Sequence, residues 1–412
     1  MKRLLLILLC LPMIGFGQTW EKNCMPISSS SSVYGMGNSV QQTNDGGFII
    51  TGRTNIGNGQ SFLLKTNGNG VEEWNIIMAP MIVGEGNSVQ QTTDGGYIIC
   101  GYEYINANED IFLKKVDASG NLLWSKNFGG TNEDIGYSVQ QTNDGGYIIL
   151  GWTNSFSNDF SSDIYLIKTN GNGDSLWTKT FGDQFNVYDW GYSIQQTIDG
   201  GYIICSKGET HNYLIKTDEN GIEQWSQNLF GGRSVQQTND GGYIITGGSK
   251  NLIKTDENGD SLWTKTFGVT GDEVGYSVQQ TSDGGYIVTG VTSSSAGNLY
   301  DIYLRKTDGN GQEQWNQTFG DTLYDFGRSV QQTVDGGYII SGGRNVSYGE
   351  CLFLMKTDGN GNITSTFNIP INPNRKLKKT VDMLGRETKP QTNIPFIEIY
   401  DDGTVEKRIV IE

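Results

Sequence analysis

Histidine is almost missing from this chain: its 412 residues contain one, His211. A multi-histidine metal site is therefore excluded, and a Ser-His-Asp triad would have a single residue to draw on. Proline is scarce, with 7 residues against 58 glycines, and aromatic residues make up 11%. That balance is too glycine-rich for a mainly helical protein and too aromatic for a disordered one. No sustained 3.6-residue apolar period is present, which excludes helical repeats. Excess positive charge is also missing. The net charge of -16 argues against nucleic acid and against anionic membranes as partners, because both need a basic patch. The longest apolar run is "LLLILLCLPMIGF", 13 residues, short of the roughly 20 a membrane helix needs. With Lys2 and Arg3 before it and the small-residue "GFG" just before Gln18, this run reads as a cleaved secretory signal over residues 1–17. Cys10 lies inside the run, not just after it, so a lipid-anchored cysteine is not expected. The mature chain is expected to carry no transmembrane segment. His211, in "GETHNYL", reads as a surface-loop residue.

Against these absences stands one insistent presence. "SVQQTNDGGYII" at 138–149 returns in near-identical form at 39–50, 88–99, 193–204, 234–245, 277–288 and 329–340. Its aspartates are Asp45, Asp94, Asp144, Asp199, Asp240, Asp283 and Asp335, at intervals of 41 to 55 residues. A catalytic motif occurs once; a motif that returns at this period marks a propeller or solenoid. Each period holds four strand candidates. "SVQQT" and "GYIITG" flank a Gly-Gly turn, a third strand such as "IYLIKT" follows, and a fourth carries tryptophan, as in "SLWTKTF". Four antiparallel strands per period make one propeller blade. The expected fold is an all-β, seven-bladed β-propeller over residues 18–369, whose recurrent Tyr, Ile and Trp form the packing between blades.

The tryptophans also indicate how the ring closes. Trp20, Trp74, Trp124, Trp177, Trp225, Trp263 and Trp315 match the seven turns, but the first precedes the first "SVQQT". The seventh repeat ends in "NITSTF", without tryptophan. The N-terminal strand around Trp20 is therefore expected to complete the seventh blade. Four cysteines remain after the leader: Cys24, Cys100, Cys205 and Cys351. Cys100 and Cys205 occupy equivalent places in the second and fourth repeats and read as separate buried residues. A four-residue "DENG" loop sets Leu252 opposite Trp263. Carried to the seventh blade, that register puts Leu354 opposite Trp20 and Cys351 opposite Asn23. A shift of one would bring Cys24 and Cys351 face to face for a disulfide; two buried thiols are the alternative.

"YLIKTDENGDSLWTKTFG" followed by "SVQQTSDGGYIVTG" resembles the bacterial and archaeal β-propeller repeats grouped near the quinoprotein-like propellers, over residues 19 to about 369. The resemblance implies that an Asp-x-x-x-Gly-x-x-x-Trp hairpin docks each blade on the next. Quinoprotein dehydrogenases also need a cofactor pocket with calcium ligands and a vicinal disulfide. No Cys-Cys pair exists here, so that activity is not carried over. From 370 to 412 the repeats stop and basic residues become dense. This segment resembles the C-terminal sorting signal of the bacterial type IX secretion system, through Asp382, Gly385 and Arg386 in "VDMLGRE" and through Tyr400, Asp401, Asp402 and Gly403 in "IYDDGTVEKRIVIE". The resemblance implies the Sec and type IX machineries as partners and an extracellular or outer-membrane-surface location. An ordinary small β appendage is the alternative.

Chemistry is expected where loops converge at one end of the channel. A recurrent acid stands four residues before the repeat serine at Asp134, Asp189, Glu273 and Asp325, with Glu85 three before its own. The residue just before that serine varies among Asn38, Asn87, Tyr137, Tyr192, Arg233, Tyr276 and Arg328. Pointing inward, these would form a rim of carboxylates and aromatics suited to sugars or calcium; no other cofactor is expected. Pointing outward, each acid would simply bond its own loop. The insertions "NSFSNDFSSD" and "DQFNVYDWGYS" are assigned to the fourth blade as the main asymmetry, with Trp190 as a candidate contact. The "TDENGD" turns lack the spacing of an EF-hand loop and read as Asn-Gly turns. The expected function is an exported binding module for a glycan or a protein. The alternatives are a glycan hydrolase using Asp134 and Asp189 as acid and base and a structural surface protein.

Overall fold

The computed structural model describes residues 19–25, 35–55, 58–105, 107–157, 161–182, 188–208, 213–228, 232–247, 251–268, 273–293, 300–320, 323–346, 349–363, 377–381, 386–389, 396–400 and 405–408. The leader and His211 lie outside them. The described residues contain strands and no helix, so none is long and apolar enough to cross a membrane as a helix. Two compact units divide the chain, Met1–Thr364 and Ser365–Glu412.

The first unit is a β-propeller of seven four-stranded antiparallel sheets. The third blade is typical, with strands Asp134–Gln141, Tyr147–Thr153, Asp163–Thr169 and Ser175–Phe181 paired in that order. The Ser-Val-Gln-Gln strand of each blade (Ser-Ile-Gln-Gln in the fourth) is innermost, and the seven together line a central channel. In the seventh blade the outermost strand is Trp20–Met25, paired antiparallel with Gly349–Thr357. The N-terminal strand closes the ring, as the missing seventh tryptophan requires.

The repeated string is explained by an unsatisfied edge. An innermost strand has no sheet partner on its channel side, and its free amides would cost energy unless capped. The neighbouring blade caps them. Val139 N–H donates to Ser88 Oγ at 3.2 Å, and Gln141 N–H to Gln90 Oε1 at 2.6 Å. In the other direction Thr93 N–H donates to Gln141 Oε1 at 2.9 Å. Serine and both glutamines therefore each hold an adjacent blade, and all seven junctions repeat the pattern.

The Asp-Gly-Gly turn has its own circuit. Asp144 accepts from Gly146 N–H at 3.0 Å and from the Lys168 ammonium at 2.8 Å, while Lys168 also donates to Thr169 O. Lys168 is only 4% exposed, so the pairing satisfies a buried cation. Equivalent ion pairs occur in all seven blades, from Lys65–Asp45 to Lys356–Asp335. Burial alone would raise these carboxyls. The threonine hydroxyl, the lysine and the glycine amide outweigh it and hold Asp45, Asp94, Asp144 and Asp283 at about 2.

Tryptophan joins blade to blade as the resemblance implied. Trp124 meets Tyr147 of the next blade edge-on, with ring centroids 5.8 Å apart. It also covers Gly173 of the next blade's turn, whose φ is 77° and where a Cβ would lie 2.6 Å from the indole. Glycine is required there on both counts. At the seam Trp20 repeats the arrangement on Phe48 and Gly70. The cores accordingly straddle two blades: Phe48, Ile50 and Phe62 pack with Ile339, Leu352 and Leu354.

The expected hairpin register is corrected. Lys254, not Leu252, faces Trp263, and Thr255 faces Ser261 across a bulge. The turn holds five residues because the Asp256 carboxylate accepts from the amides of both Asn258 and Asp260. In the seventh blade Trp20 accordingly faces Lys356 and Asn23 faces Phe353, with a shift before Met25↔Leu352. Cys24 stands at that irregularity. Cys351 is disulfide-bonded; the side chain of Cys24 lies outside the described residues. Cys100 and Cys205 are free and buried, and burial pushes both thiols up.

In the second unit, strands Leu377–Val381, Phe396–Tyr400 and Val405–Arg408 form a three-stranded antiparallel sheet. Arg386 is exposed, and Tyr400 ends the middle strand opposite Leu377. Asp382, Gly385, Asp401, Asp402 and Gly403 lie outside the described residues.

Candidate functional site

The innermost strand does not run straight. Its pairing with the second strand slips by one residue between Gly136 and Ser138, leaving Tyr137 at a bulge. The same slip falls at Asn38, Asn87, Tyr192, Tyr276 and Arg328. Two glycines allow it: a Cβ on Gly151 would lie 1.9 Å from Ile135 O, and one on Gly136 would press on the neighbouring blade. A bulge re-aims the side chain it carries. All six of these residues, together with Arg233 of the fifth blade, line one cavity of about 370 Å³ at an end of the channel. Each blade contributes one residue from the same repeat position.

Glu85, Tyr102 and Ile135 complete the lining. Tyr137 and Tyr192 meet with centroids 4.9 Å apart and their rings tilted by 47°. Arg233 lies over the rings of Tyr192 and Tyr276, at 5.2 and 4.8 Å, and Arg328 over Tyr276 at 4.8 Å. Five consecutive blades therefore present an arc of three tyrosines and two arginines. Burial pushes the Tyr137 phenol up to about 12 and raises Tyr192 too, although Arg233 acts against it there, so both keep their protons as donors. The remaining two blades form a different arc. Asn38 Nδ2 donates to Glu85 Oε1 at 2.7 Å, Tyr102 Oη donates to Glu85 Oε2 at 3.3 Å, and the Arg53 guanidinium stands 3.8 Å from the same carboxylate. Asn87 Nδ2 donates to Gly136 O at 2.8 Å.

The expected rim is thus divided. Tyr137, Tyr192, Arg233, Tyr276 and Arg328 come together in the cavity. Asp134, Asp189, Glu273 and Asp325 do not: they are 0 to 8% exposed and stand outside its lining. Asp134 accepts from Gly130 N–H at 2.9 Å and from Ser155 Oγ at 2.6 Å. Glu273 receives Arg305 at 2.8 Å, and Asp325 receives Arg344 at 2.8 Å. Strand parity is the reason. Glu85 pairs with Tyr102, the position that Ile135 takes opposite Trp152 in the third blade, whereas Asp134 stands one residue earlier. Side chains alternate faces along a strand, so one residue separates a cavity wall from a blade interior. Trp190 stacks on Tyr188 at 6.0 Å and does not reach the cavity. The "NSFSNDFSSD" insertion belongs to the third blade, between its second and third strands; only "DQFNVYDWGYS" leads into the fourth. Sequence reading passed over Tyr102 and Ile135, and the Gly-x-Ser spacing was the one signal that could have indicated the bulge.

The mouth face also carries exposed apolar side chains. Tyr104 lies near the end of one second strand and Phe156 follows another, and Met81, Tyr188, Leu323 and Tyr324 precede innermost ones. Tyr324 stacks on Phe326, nearly parallel at 8°. Among the described residues no group of three or more His, Cys, Asp or Glu side chains could hold a metal ion.

No protein-family model matches the chain, and no curated protein does. Solved structures do match it in fold. The WD40 repeats of RRP9 superpose with a TM-score of 0.54 at 8% identity, over 82% of this chain and 97% of that one. Raptor from Chaetomium thermophilum gives 0.55 at 8% identity, over 84% of this chain and 30% of that one. A puromycin hydrolase gives 0.53 at 12% identity, over 93% and 61%. These likenesses show a β-propeller and carry no activity with them.

Proposed function

We propose that this chain is an exported binding module whose ligand, a glycan or a protein segment, seats in the channel mouth. One observation carries the reading. Across the seven repeats the residues that hold the ring together barely change, while the one repeat position that every blade sends to the mouth varies among asparagine, tyrosine and arginine. A constant frame around a variable, chemically polarised cavity is how a rigid scaffold presents a binding site. The exposed aromatics on the same face would extend that contact, and a glycan suits them because aromatic faces accept the apolar faces of sugar rings. A two-carboxylate hydrolase is less well supported, since Glu85 is the only carboxylate lining the mouth among the described residues. The leader and the C-terminal segment support export to the cell surface or beyond.

The test is a glycan array probed with the purified full chain, its Tyr192→Ala/Arg233→Ala variant, and a Val334→Ala control on the opposite face. Specific glycans are expected to bind the parent and the control but not the double variant. Binding that survives the double variant would remove the mouth from the proposal.

A further inference from the structure

Arg233 and Arg328 are anomalous in this protein. Arg53, Arg305 and Arg344 all sit within 4 Å of carboxylates. The two mouth arginines form no ion pair among the described residues, in a chain of net charge -16. Arg328 Nε is moreover buried without a hydrogen-bond partner. A desolvated donor left unmade is costly. The guanidinium carbons of Arg233 and Arg328 each lie 4.8 Å from the centre of the Tyr276 ring, and a guanidinium carries five N–H donors in its own plane.

Resting on the reading of the mouth as a ligand site, we infer that it takes a saccharide unit bearing a carboxylate, with the acid held by Arg233 and Arg328. Planar guanidinium donors match a carboxylate in pairs, which gives orientation as well as affinity. The opposite arc sets the rest of the ligand. Glu85 is fixed by Asn38, Tyr102 and Arg53, and is an acceptor for hydroxyl groups. It would repel a second acid, so the ligand must place its carboxylate toward Arg328 and its hydroxyls toward Glu85. Ile135 is the only aliphatic side chain in the lining among the described residues, which leaves little for a peptide side chain to fill. A volume of about 370 Å³ is at the small end for ligand pockets and suits a terminal sugar rather than a polymer segment.

Isothermal titration of the full chain at low salt tests this with three probes: methyl glucuronide, methyl glucoside and acetate. The glucuronide is expected to bind about tenfold or more tighter than either of the others, and to weaken as salt is raised. Arg328→Gln and Arg233→Gln should each remove that preference, while Arg328→Lys should keep part of it and guards against a folding defect. Glu85→Gln should weaken both sugars and leave the acid preference intact. Equal binding of the glucuronide and glucoside would overturn the acidic-sugar inference and leave the mouth as a neutral-sugar site. Acetate as tight as the glucuronide would overturn the saccharide part. If a free peptide carboxylate competes where no sugar does, the ligand class is wrong, although the mouth remains the site. Failure of the mouth itself is read separately, from array binding that survives the Tyr192→Ala/Arg233→Ala variant.

Discussion

Ser329 Oγ accepts a hydrogen bond from the backbone N–H of Val40, 3.3 Å away and 289 residues distant in sequence. It is the same bond that Ser88 makes to Val139 between consecutive blades. The seam of the ring is therefore built like every other junction, except that the outer strand of its blade arrives from the N-terminus.

Trp20 should consequently matter as much as any interior tryptophan. Its indole N–H donates to Gly68 O at 3.0 Å and its ring meets Phe48. Trp20→Ala is expected to cost about 2–4 kcal/mol, somewhat below the usual range for a fully buried aromatic. Thermal unfolding beside Trp124→Ala checks this. A Trp20→Ala chain as stable as its parent would mean that the N-terminal strand contributes little to closure.

Two glycines separate backbone strain from blade docking. Gly145 and Gly173 have φ of 81° and 77°, but a Cβ on Gly145 meets nothing within 4 Å, whereas one on Gly173 meets Trp124. Gly145→Ala should cost about 1–2 kcal/mol from conformation alone. Gly173→Ala should cost that and more, since the indole must move. Equal losses in chemical denaturation would show that the tryptophan contact adds nothing.

Acid should unfold the propeller in a narrow window. The turn aspartates are depressed from 3.8 to about 2 in four blades and lowered in the other three. A depressed carboxyl contributes stability that is present above its unfolded pKa and is lost as pH falls through the folded value. Stability should hold down to about pH 4 and then decline steeply toward pH 2. Most of these side chains are largely exposed, so screening makes each contribution small. Circular dichroism against pH reads the midpoint, which should move upward in Lys168→Met. An unmoved midpoint would remove the ion pair from this account.

Because Cys351 is disulfide-bonded while Cys100 and Cys205 are free, a bridge to Cys24 is expected in protein that retains both chain ends. Intact mass should rise by two hydrogens on reduction, and Cys24→Ser should abolish the change. Unchanged mass on reduction of the parent would rule the bridge out. Reduction should also lower the unfolding temperature, since the bridge would join strands more than 300 residues apart in sequence.

Much of this architecture was legible in the repeats. The Asp-Gly-Gly turns, the tryptophan strands and the displaced first tryptophan gave seven blades and the closure at the N-terminus. The register of the outer hairpin was not legible, because a capping carboxylate at Asp256 and a bulge lengthen a turn that looks four residues long. Nor was the fate of the recurrent acids. Asp134 and Glu85 look alike in sequence, yet a single place along the strand sends one into the blade and the other into the mouth.

The sequence by itself determined the period, and with it the strand content and the number of blades, because turn chemistry and side-chain alternation act over a few neighbouring residues. It also determined the motif that caps the inner edges, although only the structure showed that the caps reach between blades. The tertiary structure alone decided which residues meet. Ring closure brings Asn38 and Arg328 to the same mouth, and the bulge in six of the innermost strands turns the variable residue inward. Such meetings depend on the summed geometry of seven sheets, which no local window of the chain contains.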